Sequence, residues 1–342
     1  MSNDRLNWID YSKGIGIILV VYGHVLRGLH NAIPMSESFF TNSDNFIYSF
    51  HMPLFFILSG FFFFQSFLKR GMFSFMKNKL ETIAYPFIVW SILQTIVEVF
   101  MSSYTNGKHG PEALFTCLIY PRAQFWFLFA LFFINVINVI CFNISKKFGL
   151  FISLLIGLLY LIFKPDFGTF SKTFLNLVFF NAGILFFQHF QFLKKFIERN
   201  SYFVTTLLLF TGSEFLLFAY PSLFVNNLLP QLSGSLLIIQ ISFRATKKNI
   251  LPWIETLGRN SMPIYLASII GGSGIRVVLT KIFHINNVPI HIILGTIVGI
   301  IFSLYLYSLS KKTPFLSWLF EFPLKSNSNK NTNSNKKQMS LQ

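Results

Sequence analysis

With 342 residues, 53% of them hydrophobic, 46 phenylalanines and only 12% charged side chains, the chain is far more apolar than a soluble domain, where about a quarter of residues are charged. Its net charge of +16 would suggest nucleic acid in a soluble protein, but here the cations lie between apolar runs, and no nucleic acid is expected as a partner. Those runs recur from Ser12 to Leu309, each long enough to cross about 30 Å of hydrocarbon. The expected fold class is all-α: a polytopic membrane protein of about ten transmembrane helices.

Spans are expected at residues 12–30, 46–67, 84–103, 124–142, 148–164, 173–189, 202–220, 227–243, 262–281 and 289–309. With the amino terminus inside, twenty of the 28 Lys and Arg fall on the cytoplasmic side and seven opposite, with Lys13 at a span edge. Basic residues favour the cytoplasm, so both termini belong there and the span number is even. The first span is too long, and too polar at its start, for a cleaved signal peptide. Residues 1–325 are read as one integral-membrane domain without internal repeat, since the loop around 104–123 is too short to fold alone. Residues 326–342, rich in Asn, Ser and Lys, read as a disordered cytoplasmic tail able to touch anionic lipid. Cys117 and Cys141 lack metal-ligand spacing and are not expected to pair.

The first span carries Asp10 and Lys13 at its entry and His24 inside it. At about 1.5 Å per residue, Lys13 and His24 lie roughly 16 Å apart along the helix axis. Ionisable groups in hydrocarbon are costly, so their default reading is functional. A lone histidine is as readily a helix–helix hydrogen bond, but the neighbouring anion, cation and glycines (Gly14, Gly16, Gly23) shift the balance towards a ligand site. The second span descends through Tyr48-Ser49-Phe50-His51-Met52-Pro53, which places His51 at a depth similar to His24, so that both imidazoles can share one polar cavity. No metal is expected, because carboxylate and thiolate company is missing. Glu98 and Glu214 fall within spans, and their roles are not legible.

The fourth span opens with Arg122-Ala123-Gln124-Phe125-Trp126-Phe127-Leu128. Arg122 and Trp126 there serve as interfacial anchors or meet an anionic or hydroxyl-rich substrate. On the cytoplasmic side, Leu257-Gly258-Arg259-Asn260-Ser261-Met262-Pro263-Ile264-Tyr265 offers donors at a helix start, a suitable anion site, with Lys13, Lys77 and Lys79 on the same face. A buried imidazole is a natural general base for a hydroxyl. Together with a phosphate-friendly inner mouth, it suits moving an activated group from an inside donor to an outside acceptor.

These motifs resemble the acyltransferase-3 family, integral-membrane acyltransferases that O-acetylate bacterial surface glycans. Lys13 and His24 match its basic residue, ten others, then histidine. Phe50-His51-Met52-Pro53-Leu54-Phe55-Phe56-Ile57-Leu58-Ser59-Gly60 is similar to its second-span motif, Phe125-Trp126-Phe127-Leu128 to its aromatic-Trp-Phe-Leu motif, and Leu257-Gly258-Arg259-Asn260-Ser261 with Tyr265 to its late signature. The branch resembles the fucose 4-O-acetylase-like members, which lack an appended soluble domain. The chain departs at Thr82, where the family often has a basic residue (Lys79 stands three earlier), and at Ser268, where a histidine is common.

The resemblance implies acetyl-CoA as cytoplasmic co-substrate, no permanently bound cofactor, His24 as catalytic residue and Lys13 as a donor contact. The expected reaction is acetyl transfer to a sugar hydroxyl of a lipid-linked or surface polysaccharide, such as O-antigen or capsule, in the bacterial inner membrane. Asp10 is assigned to the catalytic group as the partner of Lys13. Lys13, Lys79, Arg259, Ser261 and Tyr265 are assigned to the donor, and His51, Arg122 and Trp126 to the acceptor. The alternative is a transporter or flippase of a glycan lipid, although the two related halves common in transporters are not visible here.

Overall fold

A computed structural model of the chain describes residues 6–100, 110–220 and 224–323, with side chains from residue 228 in the last stretch. The tail from Ser326, together with Arg5 and Lys108 of the charge count, lies outside the described residues. Hydrocarbon offers backbone groups no partners, so each segment must satisfy its own. The described residues accordingly form helices and no strand.

In chain order these are α1 (Asn7–His30), α2 (Glu37–Tyr48), α3 (His51–Arg70), α4 (Met72–Lys79), α5 (Tyr85–Phe100) and the short α6 (Ala113–Thr116). Then follow α7 (Trp126–Ile144), α8 (Gly149–Phe163), α9 (Ser171–Gln188), α10 (Phe190–Glu198) and α11 (Asn200–Ala219). The chain continues through α12 (Phe224–Lys247), α13 (Trp253–Arg259), α14 (Ser261–Val277), α15 (Val288–Lys312) and α16 (Pro314–Ser317).

Among the described residues, eight helical segments are long and apolar enough to cross a membrane. The expected spans at 148–164 and 227–243 correspond to α8 and α12, which are not among the eight. Fifteen residues in α8 rise roughly 22 Å, short of the hydrocarbon thickness.

Two expected spans are bent. The second runs Glu37–Arg70 but breaks into α2 and α3 at Phe50 (φ −137°), where the Ser49 hydroxyl donates to Glu214 at 2.6 Å. His51 is therefore the first residue of α3. The third passes through a π-helical turn, Leu80–Ala84, between α4 and α5. Pro86 supplies the cause: it has no N–H for the carbonyl of Thr82 four residues earlier, and the ladder widens there.

Glycines set the closest helix crossings. A Cβ on Gly14 would run into the Ile254 carbonyl, and one on Gly258 into the Asp10 carbonyl, so α1 and α13 meet backbone to backbone. Gly60 and Gly183 do the same for α3 and α9 against Phe180 and Ile57. Without a hydrophobic drive between helices in lipid, such close approach supplies the dispersion that holds them together. Elsewhere aromatic rings fill the gaps: Trp8 stacks on Phe243 (4.5 Å) and meets Phe61 edge-on (5.6 Å). The thiols of Cys117 and Cys141 are free and buried.

Candidate active site

α1 contacts α2, α3, α12, α13, α14 and α15, so its side chains face the interior at both ends. Two cavities flank it. One, about 520 Å³, takes His24 and Arg27 from α1, His51 from α3, Arg122 ahead of α7, Trp126 from α7 and Arg276 from α14. The other, about 330 Å³, begins at Lys13 and takes Ser59, Thr82, Ser261 and the apolar flanks of Phe55 and Phe127. Val20, Met52 and Tyr265 line both cavities, so three side chains form the partition between them. His24, one helical turn beyond Val20, stands just on the arginine-rich side.

The larger cavity has a hydrogen-bonded frame. The Tyr265 hydroxyl donates to the Gln124 carbonyl. The Gln124 side-chain amide donates to the Gln94 oxygen at 2.9 Å, and Gln94 donates to Glu98 at 2.9 Å. Glu98 in turn pairs with Arg122 at 3.2 Å. Gln94 and Gln124 are buried; inside a low dielectric such a continuous network fixes its members firmly. His51 Nδ1 lies 2.6 Å from the Ile47 carbonyl and so carries the ring proton, which leaves Nε2 as an acceptor in the neutral imidazole. Opposite, Arg27 forms a two-pronged pair with Asp44 at 2.6 and 2.8 Å and lies 3.3 Å from the Tyr48 ring centroid. Lys172 sits 4.6 Å from the Trp126 ring.

His24, His51, Arg122 and Trp126, drawn from three separate spans of the sequence, thus line one cavity. Lys13, Ser261 and Tyr265 line the other. Lys79 lies within electrostatic range of Lys13 and rests 4.9 Å from the Phe75 ring, at the edge of that group.

Two further assigned residues lie outside both cavities. Arg259 lines neither cavity: its guanidinium lies 3.1 Å from Glu255 and 3.7 Å from Asp10. That triad ties α13 to α1 where their backbones touch. Asp10 is therefore engaged by Arg259, and fourteen residues of helix put it roughly 21 Å along the axis from His24. Both residues take part in the joint between α1 and α13.

Several residues here gave no sequence signal of their own. Gln94, Gln124 and Tyr48 are ordinary polar residues at span positions, and only the packing of α2, α5 and the turn ahead of α7 brings them to one cavity. Glu98, unreadable in the sequence, is the carboxylate that holds Arg122. A small enclosed space of about 20 Å³ adjoins His24, large enough for one water. Ser268 and His291 also line it, and among the described residues the Ser268 hydroxyl and His291 Nδ1 have no hydrogen-bond partner.

Comparison with known proteins decides the class. The acyltransferase domain characteristic of the acyltransferase-3 family matches residues 6–308. The chain belongs to that family. It therefore carries that family's acyltransferase domain in a membrane-spanning helical chain. A 100-residue stretch is 32% identical to nodulation protein NolL of Sinorhizobium fredii (strain NBRC 101917 / NGR234), covering 27% of this chain and 25% of that relative. No solved structure matches.

Proposed function

We propose that this acyltransferase moves an acetyl group from acetyl-CoA, entering on the Lys13 side, to a sugar hydroxyl of a surface or lipid-linked polysaccharide on the Arg122 side. Lys13 then faces the cytoplasm of a bacterial inner membrane, in keeping with the excess of basic residues on that side. The single observation that carries this reading is the pair of cavities approached from opposite ends of α1 and divided only by Val20, Met52 and Tyr265, with His24 at the division.

The smaller cavity is mostly apolar, which suits a thin pantetheine chain, and Lys13 and Lys79 stand near its mouth to meet the phosphates. In the larger one, Trp126 offers an aromatic face to a sugar ring, while Arg122 and His51 offer hydrogen bonds. His24 takes the proton of the acceptor hydroxyl as its oxygen attacks the thioester carbonyl. The C–S bond breaks, the new ester C–O bond remains, and the proton passes from imidazole to the departing CoA thiolate. No cofactor is needed for that balance.

Purified protein incubated with labelled acetyl-CoA should consume it and label glycan extracted from the parent cells. His24→Ala should abolish the transfer while membrane abundance is unchanged. Retained transfer in that variant ends the catalytic claim. Passage of a glycan lipid without acetyl-CoA consumption would favour the flippase alternative.

A further inference from the structure

The larger cavity is electrostatically lopsided. Arg27, Arg122 and Arg276 line it, and Lys172 lies on the Trp126 ring within electrostatic range of Arg27. Against these four cations stand two carboxylates, each already engaged: Asp44 by Arg27 and Glu98 by Arg122. Arg276 is different. Among the described residues no carboxylate comes within ion-pair distance of it, and its protein partner is a backbone carbonyl, that of Gly28, to which it donates through one Nη1 hydrogen. A guanidinium carries five donors, so most of its capacity is left unspent.

The berth is built for it. A Cβ on Gly28 would come 2.8 Å from Arg276 Nη1, so the guanidinium lies close against α1, one turn beyond His24, and would have to shift if that glycine gained a side chain. Placing a guanidinium partly buried within a membrane span, without a counter-charge, is costly unless something else supplies the charge. An interfacial anchor would not need a glycine cut into the neighbouring helix.

We infer that the acceptor carries an anionic group, a phosphate ester or a carboxylate, and that Arg276 binds it from across the Gly28 notch while the acceptor hydroxyl lies at His24. This rests on the acetyl-transfer reading above and narrows its substrate to acidic glycans or sugars held on a lipid phosphate. Arg122, tied to Glu98, is left for neutral contacts, and Arg276 is the specificity-determining residue. Both anions match the planar fork of arginine better than a lysine ammonium.

The test uses detergent-purified full-length protein, labelled acetyl-CoA and glycan lipid extracted from the parent cells. Arg276→Gln should raise the acceptor KM by about tenfold, the loss of one charge-assisted pair, and leave the KM for acetyl-CoA unchanged. Gly28→Ala should move the same constant in the same direction by displacing the guanidinium, with Arg276 itself intact. Inorganic pyrophosphate should compete with acceptor for the wild type and lose that effect in Arg276→Gln. Two treatments of the acceptor identify the source. If mild acid, which cleaves sugar–phosphate bonds, removes the preference of wild type over Arg276→Gln, the anion is a phosphate. If reduction of carboxyls removes it, the anion is a uronate. An equal acceptor KM for wild type and both variants overturns the inference, as does a preference that survives both treatments. If the wild type labels no extract at all, the acetyl-transfer reading fails instead, and the two failures are thereby separate.

Discussion

The two cavities lie against the same three side chains but are made of different material. On the Lys13 side, Ile17, Ile83, Leu128 and Leu131 supply the wall, relieved by the hydroxyls of Ser59, Thr82 and Ser261. On the far side, the wall is a hydrogen-bonded frame running from Tyr265 through Gln124, Gln94 and Glu98 to Arg122, with arginines at its rim. An apolar slot accepts a slender chain with few polar groups, whereas fixed donors and acceptors select a polyhydroxylated partner by the penalty of leaving buried groups unpaired. On the proposed acetyl-transfer reading, one helix, α1, serves two ligands of opposite solvation, with its cation lining one chamber and its imidazole the other.

The contrast can be broken most severely at its centre. His24→Ala should reduce transfer at least a hundredfold, within the roughly 10²–10⁴ that a general base contributes, as measured by label incorporated into glycan. Next comes the frame that holds the helices. Gly60→Leu forces a side chain into the Phe180 carbonyl and should lower the Tm in detergent, the overpacking costing on the order of 1–3 kcal/mol. Unchanged melting would mean that α3 and α9 are not in backbone contact.

Substitutions on either side should then separate the two chambers kinetically. Lys13→Ala is expected to raise the KM for acetyl-CoA about tenfold with the acceptor KM unaltered, since it removes one charge-assisted contact. Glu98→Gln should do the reverse, weakening acceptor binding several-fold because Arg122 loses the carboxylate that fixes its position, while the Gln94 bond is retained. Equal effects on both constants from either variant would show that the chambers are not independent. The smallest effect belongs to the partition. Tyr265→Phe removes only the bond to the Gln124 carbonyl, worth about 1 kcal/mol net, and should raise acetyl-CoA hydrolysis without acceptor a few-fold as the divide loosens.

Much of this was legible in the chain itself. Hydropathy gave an all-helical membrane protein, because backbone in hydrocarbon has so few alternatives. The eleven-residue step from Lys13 to His24 set their separation, since a helix converts sequence distance into length at a fixed rate. The grouping of His24 with His51, Arg122 and Trp126 also agrees with the cavity lining. The ion pairs that hold Arg259 between Asp10 and Glu255 were not legible, because charge near a helix start does not reveal which neighbouring helix supplies its partner. Likewise 148–164 is apolar enough for a span, but its helix stops at fifteen residues.

The sequence by itself therefore determined the lipid-embedded helical architecture, the axial spacing of the α1 groups and, through its motifs, the acyltransferase family. Tertiary structure alone decided which cations meet a carboxylate among the described residues and which do not. It alone joined Gln94, Glu98, Gln124 and Tyr265 into one frame, and seated Arg276 in the notch at Gly28. The physical reason is one of range. Helix formation and membrane insertion depend on neighbours a few residues apart, whereas hydrogen bonds and ion pairs between spans require groups 17 to 248 positions apart to meet within about 3 Å.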